Sequence, residues 1–225
     1  RVYRKGKFGF ATFTEPEELL KIAEKALKLS ELGPQKPETW VPLGAHRAEI
    51  RPNLEIDPRK ISLDEKEEIA RRYNEILLKS GEKIQSTRVQ YIESIVSQKF
   101  ISTEGREITE ERVHTGILIS AISKDGTNIQ RAFRTVGDQR GFGTVLGLEE
   151  EAENVAKEAL DLLKAEKVQG GTYTVILDPE MAGVFIHEAF GHLSEADHIY
   201  RNEKLKELMA LGRRIGPDFL NVVDD

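Results

Sequence analysis

The stretch from 86 to 136 constrains the fold more than any other part of this chain. Its apolar residues leave helical spacing and fall on strand-like positions: Val89, Tyr91, Ile95 and Val96, then Phe100 and Ile101, then Ile117, Ile119, Ala121 and Ile122. Thr103-Glu104-Gly105-Arg106 reads as a turn, and Asp125-Gly126 is a strong hairpin signal before a further strand from 129 to 136. Strands joined by turns this short pair antiparallel. The segment therefore predicts an antiparallel sheet, one face of which must be covered by helices.

Helices of the right kind flank it. Ser62 followed by Glu65 has capping-box spacing and opens a helix to Leu78 whose apolar positions include Ile69, Tyr73, Ile76 and Leu77. Residues 148 to 167 form a long charged helix with Val155, Ala156, Ala159, Leu160 and Leu163 inward. Nearer the start, residues 1 to 13 read as a hairpin turning at Lys5-Gly6. A helix capped by Thr14 follows, carrying Leu19, Leu20, Ala23, Ala26 and Leu27 on one face and stopped by Gly33-Pro34. Residues 33 to 60 hold prolines at 34, 37, 42, 52 and 58 and read as a linker, with Trp40 and Val41 expected to pin it to a neighbouring surface. Gly137 to Gly147 is glycine-rich; without a Gly-Lys-Ser/Thr ending it predicts a flexible loop, not a phosphate cradle.

The fold class is thus α+β, an antiparallel sheet with flanking helices between partial N-terminal and C-terminal domains. The expected divisions are 1–57, a partial N-terminal domain with its Pro-rich linker; 58–168, a central α/β domain with the sheet; and 169–225, a helix of chemical interest and the start of a truncated C-terminal domain. Neither end carries a polar tail, and missing chain is expected on both sides.

Charge and composition remove several functions. Net charge is -6 with acids and bases interspersed, so no basic stripe exists to track a nucleic-acid backbone. No apolar run approaches the roughly 20 residues that span a bilayer. The absence of cysteine excludes disulfides and any thiolate ligand or nucleophile from this chain, and the expected location is the cytoplasm.

The chemistry concentrates in one segment. Residues 172 to 177 read as a short buried strand. Asp178-Pro179-Glu180 then makes a helix start, with Asp as N-cap and Pro at the first helical position. The helix that follows, Met181-Ala182-Gly183-Val184-Phe185-Ile186-His187-Glu188-Ala189-Phe190-Gly191-His192, is apolar on almost every side and is expected to be buried. Two histidines and a carboxylate in such a setting need a partner, and a divalent cation is a suitable one. Their spacing is H-E-x-x-x-H. On a regular α-helix, residues i and i+5 point roughly 140° apart, too far round to share an ion. A π-bulge would bring them to one side, and Gly191 makes that distortion easy. His187 and His192 are then metal ligands, and Glu188 is placed as the general base towards a water acidified by the ion. The residues alone leave a second reading open, two core histidines satisfied by backbone carbonyls in a non-catalytic binding or assembly module.

The wider context resembles the TldD/PmbA family of metallopeptidases, and within it the TldD-type, catalytic member. The likeness is closest over Thr174-Val175-Ile176-Leu177, Gly183-Val184, the motif from His187 to His192, Glu195 and Asp197, and Val222-Val223-Asp224-Asp225. It is weaker over the helix at 62 to 79, over Ser102 to Arg106, and over the opening hairpin with Gly6 and Phe8-Gly9-Phe10. The resemblance implies a zinc peptidase acting on peptides or unfolded proteins, with His187 and His192 as zinc ligands and Glu188 as catalytic glutamate. It also implies a homodimer or a heterodimer with a PmbA-type chain. The family draws a third zinc ligand, a cysteine, from its C-terminal domain. This chain has none, so by itself it is expected to hold metal weakly and to be nearly inactive.

Other candidates carry simpler expectations. Glu195 and Asp197 are expected to cap or orient the segment leading to the next helix, with a place beside the metal as the alternative. His198 is read as a surface residue, His46 as part of the Pro-rich loop and His114 as the start of a strand. Arg131, Arg134 and Arg140 are ordinary strand-edge charges.

Overall fold

A computed structural model describes residues 1–32 and 43–223. The chain divides into two units, Arg1–Ala165 and Glu166–Asp225. Gly33-Pro34, Trp40-Val41 and Asp224-Asp225 lie outside the described residues.

The first unit opens with a hairpin, β1 (Val2–Arg4) and β2 (Lys7–Gly9), turning through Lys5 and Gly6, both at positive φ. After a 3-10 turn at Pro16–Glu18, helix α1 (Leu19–Leu32) packs on it through Ala26 and Ser30. The expected leucine face is only partly used, since Leu20 is 79% exposed.

The sheet is built around two long strands. β4 (Ile84–Ile101) and β5 (Arg106–Asp125) form one antiparallel ladder, so the apolar groups that read as separate strands along 89–101 belong to a single element. β6 (Asn128–Asp138) returns along β5 through the Asp125-Gly126 turn, with Gly126 at φ 58° as that tight connection demands. The remaining strand departs from the antiparallel expectation. β3 (His46–Ile50), within the Pro-rich stretch, pairs in parallel with the first residues of β5, from His46 opposite Arg106 to Ile50 opposite Glu110. β4 occupies one edge of β5, so β3 and β6 must share the other. His46 is accordingly a strand residue, and His114 sits well inside β5, not at its start.

Between the β3 and β6 pairings, a 3-10 turn at Pro58–Lys60 contributes Arg59, whose guanidinium ion-pairs with both Asp57 and Glu111. The Arg59 hydrogen bonds hold the Asp57 carboxyl below its ordinary range.

Two helices cover one face at the β6 end. α2 (Leu63–Lys79) starts at Ser62 with the full capping box: Ser62 Oγ accepts from the Glu65 amide at 3.2 Å, and the Glu65 carboxylate accepts from the Ser62 amide at 3.1 Å. α3 (Glu149–Leu162) follows the glycine-rich stretch. The core combines Tyr73 and Leu77 of α2, Ile117, Ile119 and Ala121 of β5, Ala132 of β6, and Ala152, Val155, Ala156 and Ala159 of α3. Alanines at three- and four-residue spacing let α3 approach the sheet closely.

The glycine-rich stretch is not a flexible loop. It contains a 3-10 turn, Phe142–Val145, whose two end residues are buried in that core. The Tyr73 hydroxyl donates to the Val145 carbonyl at 2.7 Å and accepts from the Leu148 amide at 3.1 Å. Gly141, at φ +93°, lies so close to Ile56 that a Cβ would stand 2.1 Å from its carbonyl oxygen. The glycines here permit close docking, a role that composition alone reads as looseness. The three arginines are engaged: Arg131 donates to the Ser120 hydroxyl and lies over the Phe133 ring, Arg134 pairs with Glu151, and Arg140 pairs with Asp138 and Glu55.

The second unit is helical and corrects two expectations. Residues 172–177 form no strand, and Val175 and Ile176 are 69% and 98% exposed. A strand needs a neighbour for its ladder, and no strand is present among the described residues of this unit. The histidine helix is likewise not buried: Met181, Val184 and Phe185 are each more than half exposed. An all-round apolar surface calls for cover on all sides, and the described helices of the unit supply it on only some.

Candidate metal centre

Helix α4 (Pro179–Ile186) begins as its sequence requires. The Asp178 carboxylate accepts from the Met181 amide at 2.7 Å, and Pro179 occupies the first position, where no amide hydrogen is needed. The helix does not continue in α form. Residues His187–Gly191 make a π turn in which the His192 amide donates to the His187 carbonyl. A single 3-10 turn, His192–Ser194, follows, and then α5 (Ala196–Arg201) and α6 (Glu203–Leu208).

That one widened turn answers the spacing problem. It brings the His187 and His192 rings to 4.6 Å between centroids, inclined at 70°. Donor atoms of His187, Glu188 and His192 lie within 4.8 Å of one another. His192 Nε2 stands 3.7 Å from a Glu188 carboxylate oxygen. Gly191 has a second part in this arrangement: a Cβ at that position would sit 3.2 Å from His187 Nδ1, so the missing side chain leaves room for the imidazole.

The opposite nitrogen of His192 is also engaged. His192 Nδ1 lies 2.6 Å from a carboxylate oxygen of Glu195. This contact raises the His192 pKa above the ordinary imidazole value; desolvation opposes it, and the charges of Glu195 and Glu188 add to the rise. The other Glu195 oxygen is 3.7 Å from His198 Nδ1, which also lies 3.2 Å from the His192 carbonyl oxygen. Glu195, Asp197 and His198 form a second exposed group with donor atoms within 4.8 Å. Glu195 occupies the N-cap position of α5 but makes no cap hydrogen bond there. The capping role expected for it is therefore not realised. Its three-residue separation from His192 was the available signal, and it becomes legible only once the helix is known to break between them.

Both flanks of the π turn are open grooves. One, of about 820 Å³, runs beside His187 and Glu195 and is lined also by Pro179, Gly183, Phe190 and Val222. The donor set suits a borderline-soft divalent ion: two imidazoles from one helical face, a carboxylate beside them, and an open groove alongside.

Comparison with known proteins gives the chain its relatives. Residues 56–166 match the PmbA/TldA metallopeptidase central domain, and residues 170–225 match the PmbA/TldA metallopeptidase C-terminal domain. A metalloprotease of Synechocystis sp. is 36% identical over all of this chain and 49% of its own length. One of Methanocaldococcus jannaschii is 34% identical over all of this chain and 50% of its own. A zinc metalloprotease TldD homolog of Saccharolobus solfataricus is 33% identical over 63% of this chain and 31% of its own length. The chain thus spans about half the length of the first two. The crystal structure of TM0727 from Thermotoga maritima shares the fold, with a TM-score of 0.59 at 21% identity over 75% of this chain and 38% of that one. Two matching domain models, and relatives above 30% identity along its whole length, establish that the chain belongs to the TldD/PmbA family of metallopeptidases.

Proposed function

We propose that the chain carries the metal-binding helix of a zinc-dependent peptidase of the H-E-x-x-x-H type, acting on peptides or unfolded proteins. The observation that carries this reading is the π turn, which sets two imidazoles and a carboxylate around one point from a sequence whose spacing a regular helix would separate. His187 and His192 would hold the ion. A bound zinc supplies Lewis acidity, polarising a peptide carbonyl and making a nearby water easier to deprotonate.

The remaining chemistry falls to the protein. Glu188 accepts the proton of the attacking water on its carboxylate and returns it to the departing amine, the usual double duty of a general base in acyl transfer. The open groove along His187 suits an extended chain, which presents its backbone without needing a deep pocket. The exposure of both histidine rings counts against core histidines in a binding module without chemistry. A homodimer, or a heterodimer with a PmbA-type chain, and a cytoplasmic location complete the proposal.

Two histidines and a neighbouring base are fewer ligands than a catalytic zinc takes from its protein. In this chain alone zinc should bind weakly and peptidase activity should be close to absent. The test is elemental analysis of the full-length protein beside its His187→Ala, His192→Ala double variant. About one zinc per chain in the first and none in the second is the expected result. A full-length protein that stays metal-free after metal-replete purification, or a double variant that keeps its zinc, refutes the proposal.

A further inference from the structure

We propose that Glu195 is the positioning residue for His192: its carboxylate holds the proton on Nδ1 and so commits Nε2 to the metal. The proposal rests on the zinc reading above. An imidazole can offer either nitrogen to an ion, and the choice is set by what the other nitrogen bonds to. Here the two nitrogens face different carboxylates at different distances. Nδ1 is 2.6 Å from Glu195, a hydrogen-bonding distance, whereas Nε2 is 3.7 Å from Glu188, the residue next to His187.

Of the two histidines that Glu195 faces, His192 is the closer, with Nδ1 at 2.6 Å against 3.7 Å for His198 Nδ1. Glu195 is not the cap of α5, since its side chain makes no bond to that helix's amides. It is not placed as a ligand to the same ion either, because it stands across the His192 ring from Nε2. A fixed tautomer matters more than usual in this chain. The π turn ends at Gly191, the backbone changes to a 3-10 turn at His192, and no neighbouring helix buries the ring. Glu195 thus supplies the orientation that packing supplies in a buried site, and a carboxylate behind a ligating imidazole also strengthens it as a donor.

Two measurements on the full-length protein test this. The first is the imidazole 15N shifts of His192 in metal-free protein, at a pH where the ring is neutral. The wild type should show the Nδ1–H form. Glu195→Ala should move the ring towards Nε2–H, and Glu195→Gln, which keeps an oxygen acceptor, should stay near wild type. The second is zinc affinity by competition with a chromophoric chelator. Glu195→Ala should weaken binding about 10- to 100-fold, with Glu195→Gln in between.

A wild-type ring in the Nε2–H form overturns the proposal whatever the metal does. An Nδ1–H ring combined with unchanged zinc affinity in Glu195→Ala overturns it too, because the contact would then be local structure only. If zinc affinity survives in the His187→Ala, His192→Ala double variant, the metal reading fails and takes this one with it. The two failures are distinct, since that variant keeps Glu195.

Discussion

The two units treat their apolar residues in opposite ways. In Arg1–Ala165 the apolar residues of two helices and three strands meet, and Tyr73, Leu77, Ile117, Ile119 and Val155 are fully buried. In Glu166–Asp225 the apolar density of the histidine helix is at least as high, yet no described residue there is buried. The difference lies in alternation. α2 and α3 each separate an apolar from a polar face, so one contact satisfies each of them. Residues 172–177 and 181–190 are apolar on all sides and require cover from more than one direction. Apolar content says that a segment needs partners, and only periodicity says how many.

The comparison can be broken most directly by truncating one residue on each side of it. Ile117→Ala should cost about 2–5 kcal/mol in denaturant unfolding, the range for a buried aliphatic in a packed core. Ile176→Ala, at a position 98% exposed, should change the same midpoint by less than about 0.5 kcal/mol. Comparable costs at the two positions would mean that 172–177 is covered in solution. Hydrogen exchange in the full-length protein sharpens the point: slower exchange across 172–177 than in this chain alone would identify the extra length as the cover.

Tyr73→Phe should cost about 1–3 kcal/mol, since it strands the buried Val145 carbonyl and removes the acceptor of the Leu148 amide. The helix caps give a matched pair. Ser62→Ala should lower the unfolding free energy of the first unit by about 1 kcal/mol. Asp178→Ala removes an equivalent bond from α4, but in a unit without a core the loss should stay local. It would be read as faster exchange at residues 182–186 with the midpoint of the first unit unchanged.

The smallest effect is with pH. Hydrogen bonds and nearby cations hold Asp57, Glu65, Glu107 and Asp138, all in the first unit, below their ordinary pKa values. Glu93 is also lowered: partial burial pushes it up, but Lys66 and Tyr91 together outweigh that. A carboxylate lowered in the folded state stabilises it above its unfolded pKa and loses that contribution as pH falls through the folded value. Sheet signal in circular dichroism should therefore become easier to lose to denaturant as pH drops below about 4, the ordinary carboxylate range. Midpoints that hold constant down to pH 2 would show that these surface contacts contribute nothing in solution.

Local features were the legible ones. The Ser62–Glu65 box, the Asp178-Pro179 start, the Asp125-Gly126 turn, the helix face at 69–77 and the inward Val155, Ala156 and Ala159 each depend on residues a few positions apart, and each is present in the structure. The i+5 spacing of the histidines demanded a departure from α geometry, and a π turn occurs there. Long-range choices were not legible. Nothing in His46–Ile50 announces that it will find the start of β5 in parallel. Nothing in Gly141 distinguishes a loop that moves from one that must fit tightly against Ile56. The partner of Glu195 stayed hidden for a related reason: a residue three positions past a histidine is a contact or a stranger according to how the backbone winds between them.

The β4–β5 ladder has a mechanical consequence. Its two strands join at the 102–105 turn, so Ile84 and Asp125 lie together at its open end, and that is where the helices pack. A load applied across those two residues pulls along the ladder bonds, which lie perpendicular to antiparallel strands, and would part them one after another like a zipper. A load applied lengthwise, at one end of each strand, would have to shear the ladder as a whole. The same hydrogen bonds thus make a weak seam in one direction and a stiff beam in the other, and the core sits where the seam would open.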